Sequence, residues 1–172
     1  MPKQPNKNSK KGKTVSIIPE TELIKSTVTL RLLDFPPSVK KTKRSLLRFF
    51  ALSLGLISEN ETRTVVLPVL DSLFHHIFSS KPAPSTLDLQ DFIKTHYNFK
   101  ISEKLIRYHL QKLIDLHIIL RKKNLYYLNN APNAEKEDIN ALFDYWLKKD
   151  LLDSLDNAKE AFSLLEKSFS SK

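Results

Sequence analysis

Cysteine is absent from the 172 residues, and glycine occurs only twice. Without thiols the chain can form no disulfide and offers no thiolate metal ligand, which suits a reducing cytosol. Two glycines leave few places where the backbone takes positive φ cheaply, which argues against phosphate-cradling loops and many-turned β folds. No stretch approaches the roughly 20 apolar residues of a membrane span. The opening "MPKQPNKNSKKGK" has no apolar core of the signal-peptide kind. Also missing are a Gly-x-Ser-x-Gly elbow and any Ser, His and Asp grouping at informative spacing. Acid pairs such as Asp150 and Asp153 fall on an exposed helical seam. The expectation is a soluble protein that is not an enzyme, with no catalytic residue and no cofactor.

What is present is a 41% hydrophobic composition, enough for a real core, and a net charge of +9 that is unevenly placed. Residues 131–172 hold 6 basic and 9 acidic side chains, a net −3, which leaves 22 basic and 10 acidic, a net +12, for residues 1–130. A basic body of this size suits a polyanion, nucleic acid ahead of an anionic membrane. Residues 1–14 contain five Lys, no acid and almost nothing apolar, so the sequence predicts a disordered basic tail, drawn over residues 1–26.

Along the chain, "TVTLRLL" at 27–33 alternates apolar and polar residues with the period of a half-buried strand. Pro36 and Pro37 end it and Ser38 is placed to cap a helix from Val39 to Leu54, which Gly55 and Leu56 close as a left-handed cap with its apolar contact. Ser58 and Glu61 have capping-box spacing before a helix over about 59–79, its secure part running from Val69 to Phe78 because Pro68 interrupts the first turns. Ser85 and Asp88 repeat that signal before "TLDLQDFIKTHY", where Leu89, Phe92 and Ile93 face inward. Ser102 caps the next helix. On a 100° wheel Ile106, Leu110, Leu113, Ile114 and His117 share one arc. Lys104, Tyr108, Gln111, Lys112 and Asp115 lie opposite, with Arg107 at the border. A hairpin follows, with Lys122, Lys123 and Asn124 as its turn and Leu125–Leu128 as its return strand.

Helix, helix, turn, helix, hairpin is an order that resembles a winged-helix DNA-binding domain. "ISEKLIRYHLQKLIDLHII" is similar to the capped recognition helix of bacterial and archaeal transcriptional regulators of that fold, with Leu110, Leu113 and Leu116 leading into an apolar strand. The resemblance spans residues 65–129 and points to no single subfamily. Joined to the composition and periodicities of the rest, it gives the expectation of a mainly α chain in four parts: the tail (1–26), a strand plus basic helix (27–57), a winged-helix domain with a short hairpin wing (58–130) and a C-terminal helical dimerisation region (131–172). One departure stands at His117, where such proteins commonly carry Gly. There the helix either runs on into Ile118, or His117 adopts the left-handed conformation.

Implied by the resemblance is a duplex-DNA contact through Lys104, Arg107, Tyr108, Gln111 and Lys112 in a major groove. Arg121, Lys122 and Lys123 at the wing meet phosphates. Lys40, Lys41, Lys43 and Arg44 form a second candidate phosphate contact. Solvated surface is the plainer reading of each charged group, and the case for function rests on their falling on the two elements this fold uses for contact. The five histidines suggest no metal site: His109 and His117 stand about 12 Å apart along a helix, and His75 and His76 diverge.

After "NNAPN" a helix is predicted from Ala134 to Lys149, with Ile139, Leu142, Phe143 and Trp146 on one stripe and Asp150 capping a continuation. Leu151, Leu155, Ala158, Phe162, Leu165 and Phe169 then recur at spacings of 4, 3, 4, 3, 4, a coiled-coil seam that either pairs two copies or folds back on its own domain. The resulting expectation is a cytoplasmic, nucleoid-associated transcriptional regulator acting on duplex DNA as a homodimer, nuclear if the host is eukaryotic. Two other readings stay open: a nonspecific nucleoid or plasmid-maintenance DNA-binding protein, and a winged-helix adaptor with a protein or RNA partner.

Overall fold

A computed structural model describes residues 19–60, 65–79, 82–135 and 138–170. The expected tail up to residue 18 and the Glu61 half of the first capping box lie outside the described residues. The rest is mainly helical with one small antiparallel sheet. Its order is α1 (Glu20–Leu23), α2 (Lys43–Ser53), α3 (Val66–Phe78), α4 (Thr86–Tyr97), α5 (Glu103–Asp115), β1 (Ile119–Lys122), β2 (Leu125–Leu128), α6 (Ile139–Phe143) and α7 (Lys149–Ser170). A 3-10 turn at Val39–Lys41 precedes α2, and a π-helical turn at Asp144–Lys148 joins α6 to α7.

One apolar core runs through nearly all of this. Leu47 and Ala51 of α2, Val69, Leu70 and Leu73 of α3, Leu89 and Ile93 of α4, and Ile106, Leu110 and Leu113 of α5 meet Ile119, Tyr126, Leu142 and Leu147. The three helices α3, α4 and α5 pack on one another, α2 lies on α3, and the hairpin contacts α3 and α5. Val69, Leu70 and Leu73 are fully buried, so the first half of α3, just after Pro68, lies at the centre of the core, while its C-terminal end at Phe78 is exposed.

Local chemistry fixes most helix ends. The Ser85 side chain accepts from the Asp88 amide while the Asp88 carboxylate accepts from the Ser85 amide, completing a capping box. The Ser85 hydroxyl also donates to Asp88 Oδ2 at 2.7 Å, and the two hydrogen bonds that the carboxylate accepts from Ser85, the backbone one first, hold its pKa below the ordinary value. Ser102 caps α5 through the Leu105 amide. At the end of α2, Gly55 takes φ 62°, and the Leu56 amide reaches back to the Ala51 carbonyl at 2.8 Å. That is the left-handed cap the sequence predicts. Gly55 is required twice, since a Cβ there would also stand 2.8 Å from Cγ2 of Thr29.

Several expectations need correction. Residues 27–33 form no strand: no neighbouring strand pairs with them, and Leu30 and Leu32 face solvent. The segment is instead pinned across the end of α2 by Arg31, whose guanidinium donates to the carbonyls of Leu52 (2.9 Å) and Ile57 (2.7 Å). Ser38 caps nothing, because it is itself in αR within the turn after the two prolines; Thr42, extended, accepts from the Ser45 amide and starts α2 at Lys43. The next helix begins at Val66, not near 59, which places Pro68 in the first turn where its missing N–H costs little. Phe92 is half-buried and packs among imidazoles.

The C-terminal part also differs. Asp138 caps α6, so this helix starts at Ile139 rather than Ala134, and Ile139 itself is exposed. Asp150 caps no continuation, because the backbone stays helical from Phe143 through the π turn into α7. Trp146 donates from Nε1 to the Asn129 carbonyl at 2.7 Å, tying this helix to the end of the hairpin. Beyond it α7 has no fully buried residue and only Leu151 is half-buried, so the seam does not fold back on the described part of the chain.

Candidate nucleic-acid interface

The buried stripe of α5 decides which side chains it presents. With Ile106, Leu110 and Leu113 inward, the outward face carries Lys104, Arg107, Tyr108, Gln111 and Lys112, all exposed. Tyr108 is 70% exposed, an aromatic ring standing in solvent on a helix that has core available to it. Arg107 pairs with Glu103 one turn back, and Gln111 donates to Asp115 at 2.8 Å. Both are intrahelical i,i+4 contacts of exposed groups, worth well under about 1 kcal/mol each, and can be exchanged for a ligand's acceptors. Lys112 is held differently: its Nζ donates to the carbonyl of Gly55, so it ties α5 to the end of α2.

α5 ends at His117, the departure noted in the sequence. The residue takes φ 56°, the Ile118 amide bonds to the Leu113 carbonyl at 2.9 Å, and the chain turns into β1 without glycine. This corrects the placement of His117 on the inward arc: it is exposed, its ring lies 5.2 Å from that of Trp146, and its carbonyl accepts from Asn129 Nδ2 at 2.9 Å. These two neighbours fasten the strained residue.

The hairpin registers Ile119 with Leu128, Leu120 with Tyr127, Arg121 with Tyr126 and Lys122 with Leu125. Its turn is two residues rather than three: Lys123 and Asn124 both have positive φ, while Lys122 belongs to β1. Arg121 donates to Asn124 Oδ1 at 2.8 Å, and its guanidinium lies 5.7 Å from the Tyr126 ring centroid. Arg121, Lys122 and Lys123 are all exposed. The base of the hairpin is anchored, since the Tyr126 amide donates to the Pro84 carbonyl and Ser85 bridges Leu125. A rigid base thus carries a cationic tip.

The second basic cluster is partly committed to the fold. Lys43 pairs with Asp71 at 2.7 Å, and Asp71, buried in α3, also accepts from the Tyr97 hydroxyl at 2.6 Å. Burial, then the bond to this carboxylate, raises the Tyr97 phenol well above its usual range. Lys40 lies 4.8 Å from the Phe35 ring. Lys40, Lys41 and Arg44 are exposed.

An apolar groove of about 580 Å³ lies between α2, α3, the hairpin base and α6, lined by Leu46, Phe50, Phe74, Phe78 and Phe143 among others. The periodicities give no sign of it, because its walls come from four separate elements. His75, His76 and His96 gather around Phe92, yet among the described residues no group of three or more His, Cys, Asp or Glu could hold a metal ion. Nor is any described helix long and apolar enough to cross a membrane. No family model, curated protein or solved structure matches the chain.

Proposed function

We propose that the chain is a winged-helix protein that binds duplex DNA, with α5 as recognition helix, the β1–β2 hairpin as wing and α7 joining two copies, and that it acts as a transcriptional regulator. The observation that carries this reading is the conjunction of an α5 whose polar face is open to solvent with a hairpin, following it directly, whose tip is cationic and exposed. A B-DNA major groove admits one α-helix. Donors at Lys104, Arg107 and Gln111 suit purine edges, and Tyr108 suits a thymine methyl or a phosphate. Arg121, Lys122 and Lys123 supply attraction indifferent to sequence.

The charge ledger adds to this. α5 itself is only net +1, from Lys104, Arg107 and Lys112 against Glu103 and Asp115. The wing brings three more cations, so phosphate attraction falls mainly to the hairpin and discrimination to the helix. The acidic C-terminal part stays away from a polyanion and is free to pair copies.

Selection of bound fragments from random duplex DNA tests the reading. A shared motif is expected, palindromic because two copies read it. Lys104→Ala and Gln111→Ala should weaken the selected site by roughly 1–3 kcal/mol each while leaving random duplex nearly unaffected. Equal losses on both would move the reading to an architectural DNA-binding protein, in which Lys40, Lys41 and Arg44 share the contact. No duplex binding even near about 50 mM salt, where the phosphate term is strong, would overturn it in favour of an adaptor.

A further inference from the structure

We infer that α7 pairs with α7 of a second copy in the antiparallel sense, with the two helices crossing at residue 160; this rests on the homodimer reading above and fixes its geometry. The first observation is that α7, with 22 residues, has no fully buried residue, and of its seam only Leu151, at the start, is half-buried. Leu155, Phe162, Leu165 and Phe169 are exposed, Phe162 at 74% and Phe169 at 78%. A row of large apolar residues on one helix face needs a cover, and none comes from the described residues of the chain's own body.

The identity of the cover follows from the order of sizes along the seam. Its spacings of 4, 3, 4, 3, 4 read the same in both directions, so the seam can meet itself reversed as well as in parallel. Reversed about residue 160, Ala158 faces Phe162 of the second copy, Leu155 faces Leu165, and Leu151 faces Phe169. Every layer then holds one larger and one smaller side chain, or two of the same middle size. In parallel, the same seam stacks Phe162 on Phe162 beside Ala158 on Ala158, an overfilled layer next to an empty one. Helix interfaces pack to interior density, and both faults are destabilising there.

Two further features agree. Ser154, Ala161 and Ser168 flank the seam at seven-residue spacing, small side chains that let one edge of two antiparallel helices approach closely. Charge agrees too: residues 149–158 hold Lys149 against Asp150, Asp153 and Asp156, a net −2, while residues 159–170 are neutral. Reversal sets each acidic half beside a neutral half, whereas parallel pairing sets the two acidic halves together. The one like-charge meeting in the reversed pair, Lys159 across the axis, is softened by the bond each Lys159 already makes to its own Asp156 at 3.0 Å. The two bodies then sit at opposite ends of a helix pair about 33 Å long, close to one turn of duplex DNA.

The absence of native cysteine makes the test direct. Full-length Leu151→Cys and Phe169→Cys chains are oxidised separately and as a mixture. The inference predicts mixed 151–169 disulfides on the order of tenfold more abundant than self-linked ones. Self-linked positions would stand 18 residues apart along the axis, about 27 Å, beyond the roughly 7 Å a disulfide tolerates between Cα atoms. Self-linked dimers of each variant alone would overturn the antiparallel pairing and leave the homodimer standing. A wild-type chain that sediments as a monomer at micromolar concentration would overturn both. Ser154→Cys with Ser168→Cys repeats the test at exposed flank positions, where the one hydrogen bond lost is that of the Ser168 hydroxyl to the Leu165 carbonyl of its own helix, so it reads out even if an end layer is sensitive. Duplex binding of the wild-type chain, titrated alongside, reports on the DNA reading separately.

Discussion

α5 and α7 are both amphipathic helices with an apolar stripe, yet the centre of one stripe is fully covered and the other is exposed from its second residue onward. In α5, Ile106, Leu110 and Leu113 are fully buried against α3, α4 and β1, and the polar face is left for solvent. In α7 the equivalent row is the solvent-facing one. The period of a sequence therefore states that a face needs a cover, while the source of the cover depends on where the chain can reach. α5 is bracketed by a turn and a hairpin that fold it inward. α7 leaves the body through a continuous helical turn anchored by Trp146.

The contrast can be broken most severely by truncating each stripe. Leu110→Ala should destabilise the monomer by about 2–5 kcal/mol, the range for a buried leucine with its cavity, whereas Leu165→Ala should leave monomer stability nearly unchanged and reduce self-association instead. Urea denaturation set beside sedimentation separates the two effects. Next in size, Phe162→Asp should give a folded, helical monomer whose duplex binding is weaker by roughly 100-fold, since two linked contacts become one. An unchanged sedimentation coefficient with unchanged affinity would remove α7 from the account.

Gly55→Ala sharpens the comparison at the joint between α2 and the Arg31 segment. It should cost about 1–3 kcal/mol, from a positive φ and from crowding against Thr29, measured by chemical denaturation. The smallest expected effect belongs to the cap of α4. Because hydrogen bonds from Ser85 lower the Asp88 pKa from its ordinary value of 3.8, its stabilisation is present above that value and is lost as pH falls through the lower folded-state pKa. Asp88→Asn should therefore differ from wild type at neutral pH, and the difference should vanish in acid.

Local signals were the legible ones. The Ser85 and Asp88 box, the Ser102 cap, the Gly55 turn and the return strand Leu125–Leu128 each depend on a few adjacent residues, and the structure places them as read. The failures came where distant partners or competing neighbours decide. Nothing within 27–33 reveals that Arg31 serves carbonyls more than 20 residues away, so its alternation read as a strand. Ser38 and Thr42 are both good caps by type, and the turn imposed by Pro36 and Pro37 chose the second. The exposed site residues of α5 followed from the wheel, but the tie between Lys112 and Gly55 and that between Lys43 and Asp71 join residues far apart in sequence.

The salt dependence of duplex binding by the wild-type chain, set against a chain carrying Arg121→Ala, Lys122→Ala and Lys123→Ala, tests the central claim most directly. If α5 and the hairpin together form the DNA contact, the wild-type slope of log affinity against log salt should fall by about one per cation removed and per copy bound, with helix content unchanged. Identical slopes for the two chains would contradict it, because the hairpin tip would then meet no phosphate.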